Sequence, residues 1–144
     1  MDDIFSFMGK YNWLSNFHPA VVTLDGVTFP SVEHAYQAAK TSPAAREPFR
    51  VGSPSLAKHL GRRVKSLPEN WEVDRLQIME KLLRQKFRAG SRLAGKLLAT
   101  GDALLVEGNY WNDTFWGVCR GKGQNHLGLL LMKIRDELRE KEQA

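Results

Sequence analysis

The sequence predicts a mainly α fold with a minor β component (α+β), formed as a compact single domain over residues 1–144. Three observations predict it. Two long segments repeat apolar residues at helical spacing: Leu76, Met79, Leu83 and Phe87, and then Leu127, Leu130, Leu131, Ile134 and Leu138. Strand-like runs are few and short. No repeat, low-complexity stretch or linker divides the 144 residues, a length that fits one domain able to bury roughly 68–70% of its unfolded surface. With 42% hydrophobic and 26% charged residues, the composition excludes a disordered chain.

Taken in order, the first thirty residues read as loop and short strands. Val21–Leu24 is β-rich, Asp25-Gly26 is a two-residue turn signal, and Val27–Phe29 follows, which predicts a hairpin. Ser31 caps a helix over Val32 to Lys40. Pro43 and Pro48 break up the next stretch. Ser53-Pro54 reads as cap and first helical residue, with Gly61 as the stop. A longer helix is expected from about Pro68 to Arg88. Gly90 then ends it and Ser91 caps another that runs to about Thr100. Ala103–Val106 reads as a short strand and Glu107–Trp111 as loop. Thr114–Cys119 reads as a strand interrupted by Gly117, and Gly121, Gly123 and Asn125 form a turn before a last helix over His126 to Glu140.

Cys119 is the only cysteine, so no internal disulfide can form and no Cys-rich zinc site can be built. One thiol fits a reducing compartment. The acidic start Met1-Asp2-Asp3 has no signal-like apolar run after it, and no stretch approaches the ~20 apolar residues of a membrane span. The expectation is a soluble, cytoplasmic protein with no membrane partner. The net charge of +5 suits an anionic partner and suits a solvated cationic surface equally. His18, His34, His59 and His126 lack HExxH-like spacing, so no metal and no cofactor is expected. Walker, GxGxxG and GxSxG patterns are missing as well.

Three segments carry groups that can do chemistry. At about 100° per residue, Val32, Ala35 and Ala39 fall on one side of the first helix. Glu33, Tyr36, Gln37 and Lys40 fall together on an adjacent side. Lining a cleft, they offer a carboxylate for general acid or base work and an amine that becomes a nucleophile if desolvated. The same stripe also reads as a solvated face, the usual fate of charged helical stripes. In Trp111–Gly117 and the following Gly121–Asn125 turn, Asp113 can accept bonds from sugar hydroxyls and Trp116 can cover a base or ribose. The glycines let backbone N–H groups approach a phosphate at the start of the last helix. An aromatic core patch with a tight turn fits that segment just as well. In Tyr11–His18, Asn16 can read a base edge and Phe17 can stack on it, although such loops more often only pack their aromatics. The basic stretch Lys58–Lys65 faces either phosphate or solvent.

Taken jointly, these segments resemble the YbiA-like (NADAR) family. The resemblance lies in Trp13–Phe17, Ser31–Lys40, Gly61-Arg62, Trp71 through Met79 to Lys86-Phe87, and Leu97–Thr100. It continues in Leu105–Glu107, Asn112-Asp113 with Trp116-Gly117, and Gly123 with Asn125, Leu127-Gly128, Leu131-Met132 and Arg135. One departure stands out: many members carry another glycine after Trp116-Gly117, where this chain has Val118-Cys119 and is about a residue shorter.

The resemblance implies a compact, mainly helical fold with N-glycosidase or ADP-ribosyl-hydrolase activity. Some members remove ADP-ribose from guanine in nucleic acid, and others cleave the base–ribose phosphate bond of early riboflavin-pathway intermediates. It implies that Lys40 is the imine-forming lysine; beside it Glu33, as proton shuttle, and Asp113, holding ribose hydroxyls, are expected as the other catalytic residues. Asn16, Phe17, Tyr36, Gln37, Arg62, Glu107, Trp116, Gly117 and Asn125 are implied as substrate-binding. The implied partner is an ADP-ribose-bearing nucleotide or nucleic acid, in a toxin–antitoxin or phage-defence setting. A non-catalytic ADP-ribose reader and a plain nucleic-acid binder are the readings from other classes.

Overall fold

A computed structural model of the protein, which describes residues 2–144, has the expected hairpin with its turn at Asp25-Gly26. Both turn residues have positive φ, 50° and 80°, the geometry that joins two strands without splaying them. Strand β1 (Pro19–Leu24) pairs antiparallel with β2 (Val27–Ser31), with an irregularity between Pro19 and Val22. Helices dominate the rest, as expected of an α+β protein: α1 (Val32–Ala38), α2 (Pro54–Arg62), α3 (Trp71–Lys86), α4 (Arg92–Ala99) and α5 (His126–Gln143). A second sheet pairs β3 (Gly108–Asn109) with β4 (Val118–Cys119) in parallel. Among the described residues, no helix is long and apolar enough to cross a membrane.

The chain gathers into two units. One is Asn16–Lys86; the other joins the N-terminal residues up to Ser15 with Phe87–Ala144. In the first, α1 packs against α2, α3 and both hairpin strands. The core around it includes Val22, Phe29, Val32, Ala35, Met79 and Leu83. Gln85 of α3 holds the edge of β1 through both backbone groups of Thr23, at 2.6 and 2.9 Å. In the second unit α4 packs on α5. Leu97, Leu127, Leu131, Ile134 and Leu138 are buried, while Leu130 is only half-buried.

Capping sets most helix starts. Ser31, Ser53 and Ser91 each accept a bond from the N–H three residues on, all at 3.1 Å, as their positions predict. Several boundaries differ from the sequence reading. Helix α1 stops at Ala38, not Lys40. The N–H groups of Lys40 and Thr41 make tighter bonds to Gln37 and Ala38 carbonyls, and Arg46 Nε donates to the Ala38 carbonyl at 3.1 Å. Ser42, which precedes Pro43, is extended, so the helix cannot run on. Gly61 is no stop. It lies inside α2 and is buried there. Helix α3 begins at Trp71, after Asn70 at φ 63°. The expected strand Ala103–Val106 shrinks to one parallel bridge between Ile4 and Leu105, and the expected loop from Glu107 contains β3. Of Thr114–Cys119 only the last two residues are strand, because the preceding residues turn around Asp113.

Candidate functional site

In the unit Asn16–Lys86, every residue of α1 is buried. A helix surrounded by α2, α3 and the hairpin has no solvated side for its polar stripe. Glu33 is 7% exposed, Gln37 5% and Tyr36 5%, which excludes the solvated-face reading for these three. Gln37 Nε2 donates to Glu33 Oε2 at 2.7 Å, an i,i+4 bond along the helix. Tyr36 rests against Trp71 with ring centroids 5.5 Å apart. The first turn is tied down by Asn16, whose carbonyl accepts the Glu33 N–H at 3.1 Å. The Asn16 side chain is buried, with its Nδ2 3.6 Å from Met79 Sδ. His34 is a structural histidine: its ring bonds Ser31 Oγ at 2.6 Å and the Gly52 carbonyl at 2.9 Å.

Lys40 lies just past the helix end, half-buried, with Nζ 5.7 Å from the Tyr36 ring centroid. Burial holds its pKa below the ordinary lysine value. Glu33 opposes that shift, while Arg75, Arg62 and Lys58 add to it. Arg62 is exposed and Lys58 half-buried, with Lys58 Nζ 5.9 Å from the centroid of the partly exposed Phe17 ring. Sequence reading passed over Arg75, because a charged residue on a helix carries no pattern that marks what it faces. It also passed over Lys86, which is 3% exposed and whose pKa burial lowers to about 7. A signal for Lys86 existed: it continues the apolar stripe of Met79 and Leu83.

The second unit holds its own polar cluster. Asn109 Nδ2 donates to Glu107 Oε2 and to the Asp113 carbonyl, both at 2.9 Å, and Asn109 Oδ1 accepts the Asp113 N–H at 3.1 Å. Asp113 Oδ1 in turn accepts the Trp116 N–H at 2.9 Å, so this carboxylate shapes the turn. Gly117 is buried against Glu107, and a Cβ there would overlap the Glu107 carboxylate and carbonyl. Asn125 uses both ends of its side chain, accepting from Glu107 N and donating to the Leu105 carbonyl, each at 3.0 Å. Trp116 and His126 both pack on Phe115, with centroids 4.8 and 4.5 Å away. The N–H groups of Gln124, Asn125, His126 and Leu127 donate to the carbonyls of Thr114, Gly117, Phe115 and Trp116. These four donors at the start of α5 are therefore taken by the chain's own backbone. Asn109 went unnoticed in the sequence because an i,i+2 pair in irregular backbone has no period to reveal it.

The sequence profile of the NADAR domain matches residues 5–139. The chain belongs to the NADAR domain family. It is 42% identical over 140 residues to N-glycosidase YbiA of Escherichia coli (strain K12), across 94% of this chain and 87% of that protein. It is 37% identical over 135 residues to a riboflavin biosynthesis protein of Vibrio vulnificus, across 91% of this chain but only 36% of that longer protein. The solved NMR structure of the E. coli protein YbiA superposes with a TM-score of 0.84 and 41% identity, covering 99% of this chain and 89% of that one. Within the NADAR domain, the Val118-Cys119 departure falls on β4. Cys119 is buried there, with Sγ 3.7 Å from Asn112 Oδ1.

Proposed function

We propose that this chain is an N-glycosidase that removes ADP-ribose from ADP-ribosylated guanine in a nucleotide or nucleic acid, in a toxin–antitoxin or phage-defence setting. The observation that carries the reading is a buried carboxylate, Glu33, on a wholly buried helix, with Lys40 just past the helix end as an amine whose pKa burial lowers and Glu33 raises. The N-glycosidase name of the YbiA relative supports the reaction class.

Cleaving an N-glycoside builds positive charge on the anomeric carbon and negative charge on the departing base. A carboxylate beside the sugar stabilises the first and, when protonated, delivers a proton to the second. In the proposed path neutral Lys40 Nζ bonds to C1 as the C1–N bond to the base breaks. The base leaves with that bond's electron pair and takes a proton from Glu33. The lysine-linked sugar then loses a proton and opens to an imine. Water adds to the imine carbon, and release of the aldehyde sugar restores the amine. Glu33 favours the ammonium form of Lys40, and burial with three nearby cations works the other way. Asp113 is proposed to hold ribose hydroxyls; one of its carboxylate oxygens already accepts the Trp116 N–H.

A second reading, cleavage of a ribosylaminopyrimidine phosphate, is favoured by the name of the Vibrio vulnificus relative. Turnover of an ADP-ribosylated guanosine oligonucleotide separates the two. Free ADP-ribose from the parent protein, lost about 10²-fold or more in Glu33→Gln and Lys40→Ala, supports the first reading. Cleavage of only the pyrimidine substrate moves the protein to the second. ADP-ribose binding without cleavage of either would make it a reader. Borohydride added during turnover is expected to leave a mass adduct on Lys40; turnover without an adduct removes the imine step.

A further inference from the structure

Gln37 sits on the buried wall of α1, yet its surroundings are unlike those of a ligand-binding amide. Its side chain is 5% exposed, and its two polar ends have separate fates. Nε2 donates to Glu33 Oε2 at 2.7 Å. Oε1 has no hydrogen-bond partner among the described residues, and it points at Gly61 of α2. The reverse orientation of the amide would set its oxygen against the Glu33 carboxylate, so the carboxylate fixes which end faces which helix.

A buried acceptor without a partner is a cost. An apolar side chain of the same size would fill this volume without one. The glutamine is therefore a poor choice for stability alone, and the donor it places on Glu33 is what it adds. Gly61 makes the arrangement sterically feasible: a Cβ there would overlap Oε1 and Cδ of Gln37 and push the amide off its carboxylate. This glycine has ordinary helical backbone, so close approach explains it and turn geometry does not.

We propose that Gln37 is a positioning residue that orients Glu33 and holds it toward its ionised form, and that Gly61 is the notch that admits it. The inference deepens the proposed function, resting on Glu33 as its acid–base group. The other charged groups around α1 stay in place when Gln37 changes. They include Lys40 at its end, Lys58 and Arg62 of α2 and Arg75 of α3, together with the titratable His34 and Tyr36 of α1 itself and the buried Lys86 of α3. Beyond them, Arg46 and Asp25 are paired at the hairpin turn, and Arg50 and Glu47 are paired in the turn at 47–50. Loss of one N–H donor from a carboxylate raises its pKa.

The test compares pH–rate profiles and direct carboxyl titration by 13C NMR in protein labelled at glutamate. Gln37→Met keeps volume and removes the donor. The Glu33 limb and the Glu33 titration are both expected to move up by about one pH unit, with turnover down about tenfold on the plateau of the profile, where the orientation of Glu33 and not its protonation limits the rate, and substrate KM changed little. Gly61→Ala is expected to reproduce that shift, and to have no further effect in a Gln37→Ala background, where the displaced amide is gone. A Glu33 titration that stays put in Gln37→Met overturns the proposal, whatever happens to stability or rate. A Gly61→Ala shift that persists undiminished in Gln37→Ala overturns the role of the notch. If the parent protein cleaves neither substrate, the proposed function fails. The NMR titration still decides the inference, because it does not depend on turnover.

Discussion

Glu33 and Glu107 are held by the same three parts, one in each unit of the molecule. Each carboxylate accepts a bond from a side-chain amide, Gln37 at 2.7 Å and Asn109 at 2.9 Å. Each arrangement has a glycine at which no Cβ would fit. The backbone differs. Glu33 and Gln37 lie one turn apart on a helix, so α1 supplies their spacing for as long as it is helical. Glu107 and Asn109 lie two residues apart where no periodic element brings them together. Asn109 has to bond the Asp113 backbone twice to hold its own loop. The glycines differ as well. At Gly61 the obstacle is the far end of a glutamine side chain, which can move. At Gly117 it includes the Glu107 carbonyl, which is backbone and cannot move alone. A helix-borne clamp should thus yield locally, and a loop-borne clamp should fail as a unit.

The largest expected effect is at the backbone obstacle. Gly117→Ala should lower unfolding free energy in urea by about 3 kcal/mol, the upper range for overpacking. Gly61→Ala should lower it by only about 1 kcal/mol, since the Gln37 side chain can give way. Equal losses in the two variants would break the comparison. Asn109→Ala comes next, at about 2 kcal/mol, because it leaves the Asp113 N–H and carbonyl without their side-chain partner. Hydrogen exchange should show faster opening of 107–118 in that variant, and Gln37→Ala should show no matching change along α1. The smallest effect is electrostatic. Burial lowers the Lys40 pKa and Glu33 raises it, so Glu33→Gln should lower it further. The pH midpoint for modification of Lys40 by an amine reagent, read by mass spectrometry, should therefore move down. A midpoint that moves up would mean that Glu33 does not act on this amine.

These differences also decide how much could be read beforehand. The stripe Glu33, Tyr36, Gln37 and Lys40 was visible because a helix converts spacing into direction. Even so, its last member falls beyond the helix, since Ser42-Pro43 and the Arg46 cap end α1 at Ala38. Burial of the stripe was not visible, because it depends on α2, α3 and the hairpin closing around α1. Gly61 looked like a helix stop, the commonest role of a glycine near a helix end, until its distance to Gln37 gave it another. Asp113 is expected from the sequence to hold sugar hydroxyls, and Asn125 is expected from the resemblance to bind substrate. In the fold, Asp113 binds the Trp116 N–H and Asn125 ties Glu107 to Leu105.

By itself the sequence determined the class, the capped helix starts at Ser31, Ser53 and Ser91, the hairpin at Asp25-Gly26 and the family. These are local or cumulative properties: a hydroxyl three residues from an N–H, a positive φ, or motifs in one order along the chain. Tertiary structure alone decided which polar groups are buried, which amide meets which carboxylate, and why Gly61 and Gly117 are glycines. Those depend on atoms that come together only when separate segments pack, at distances that no spacing along the chain encodes.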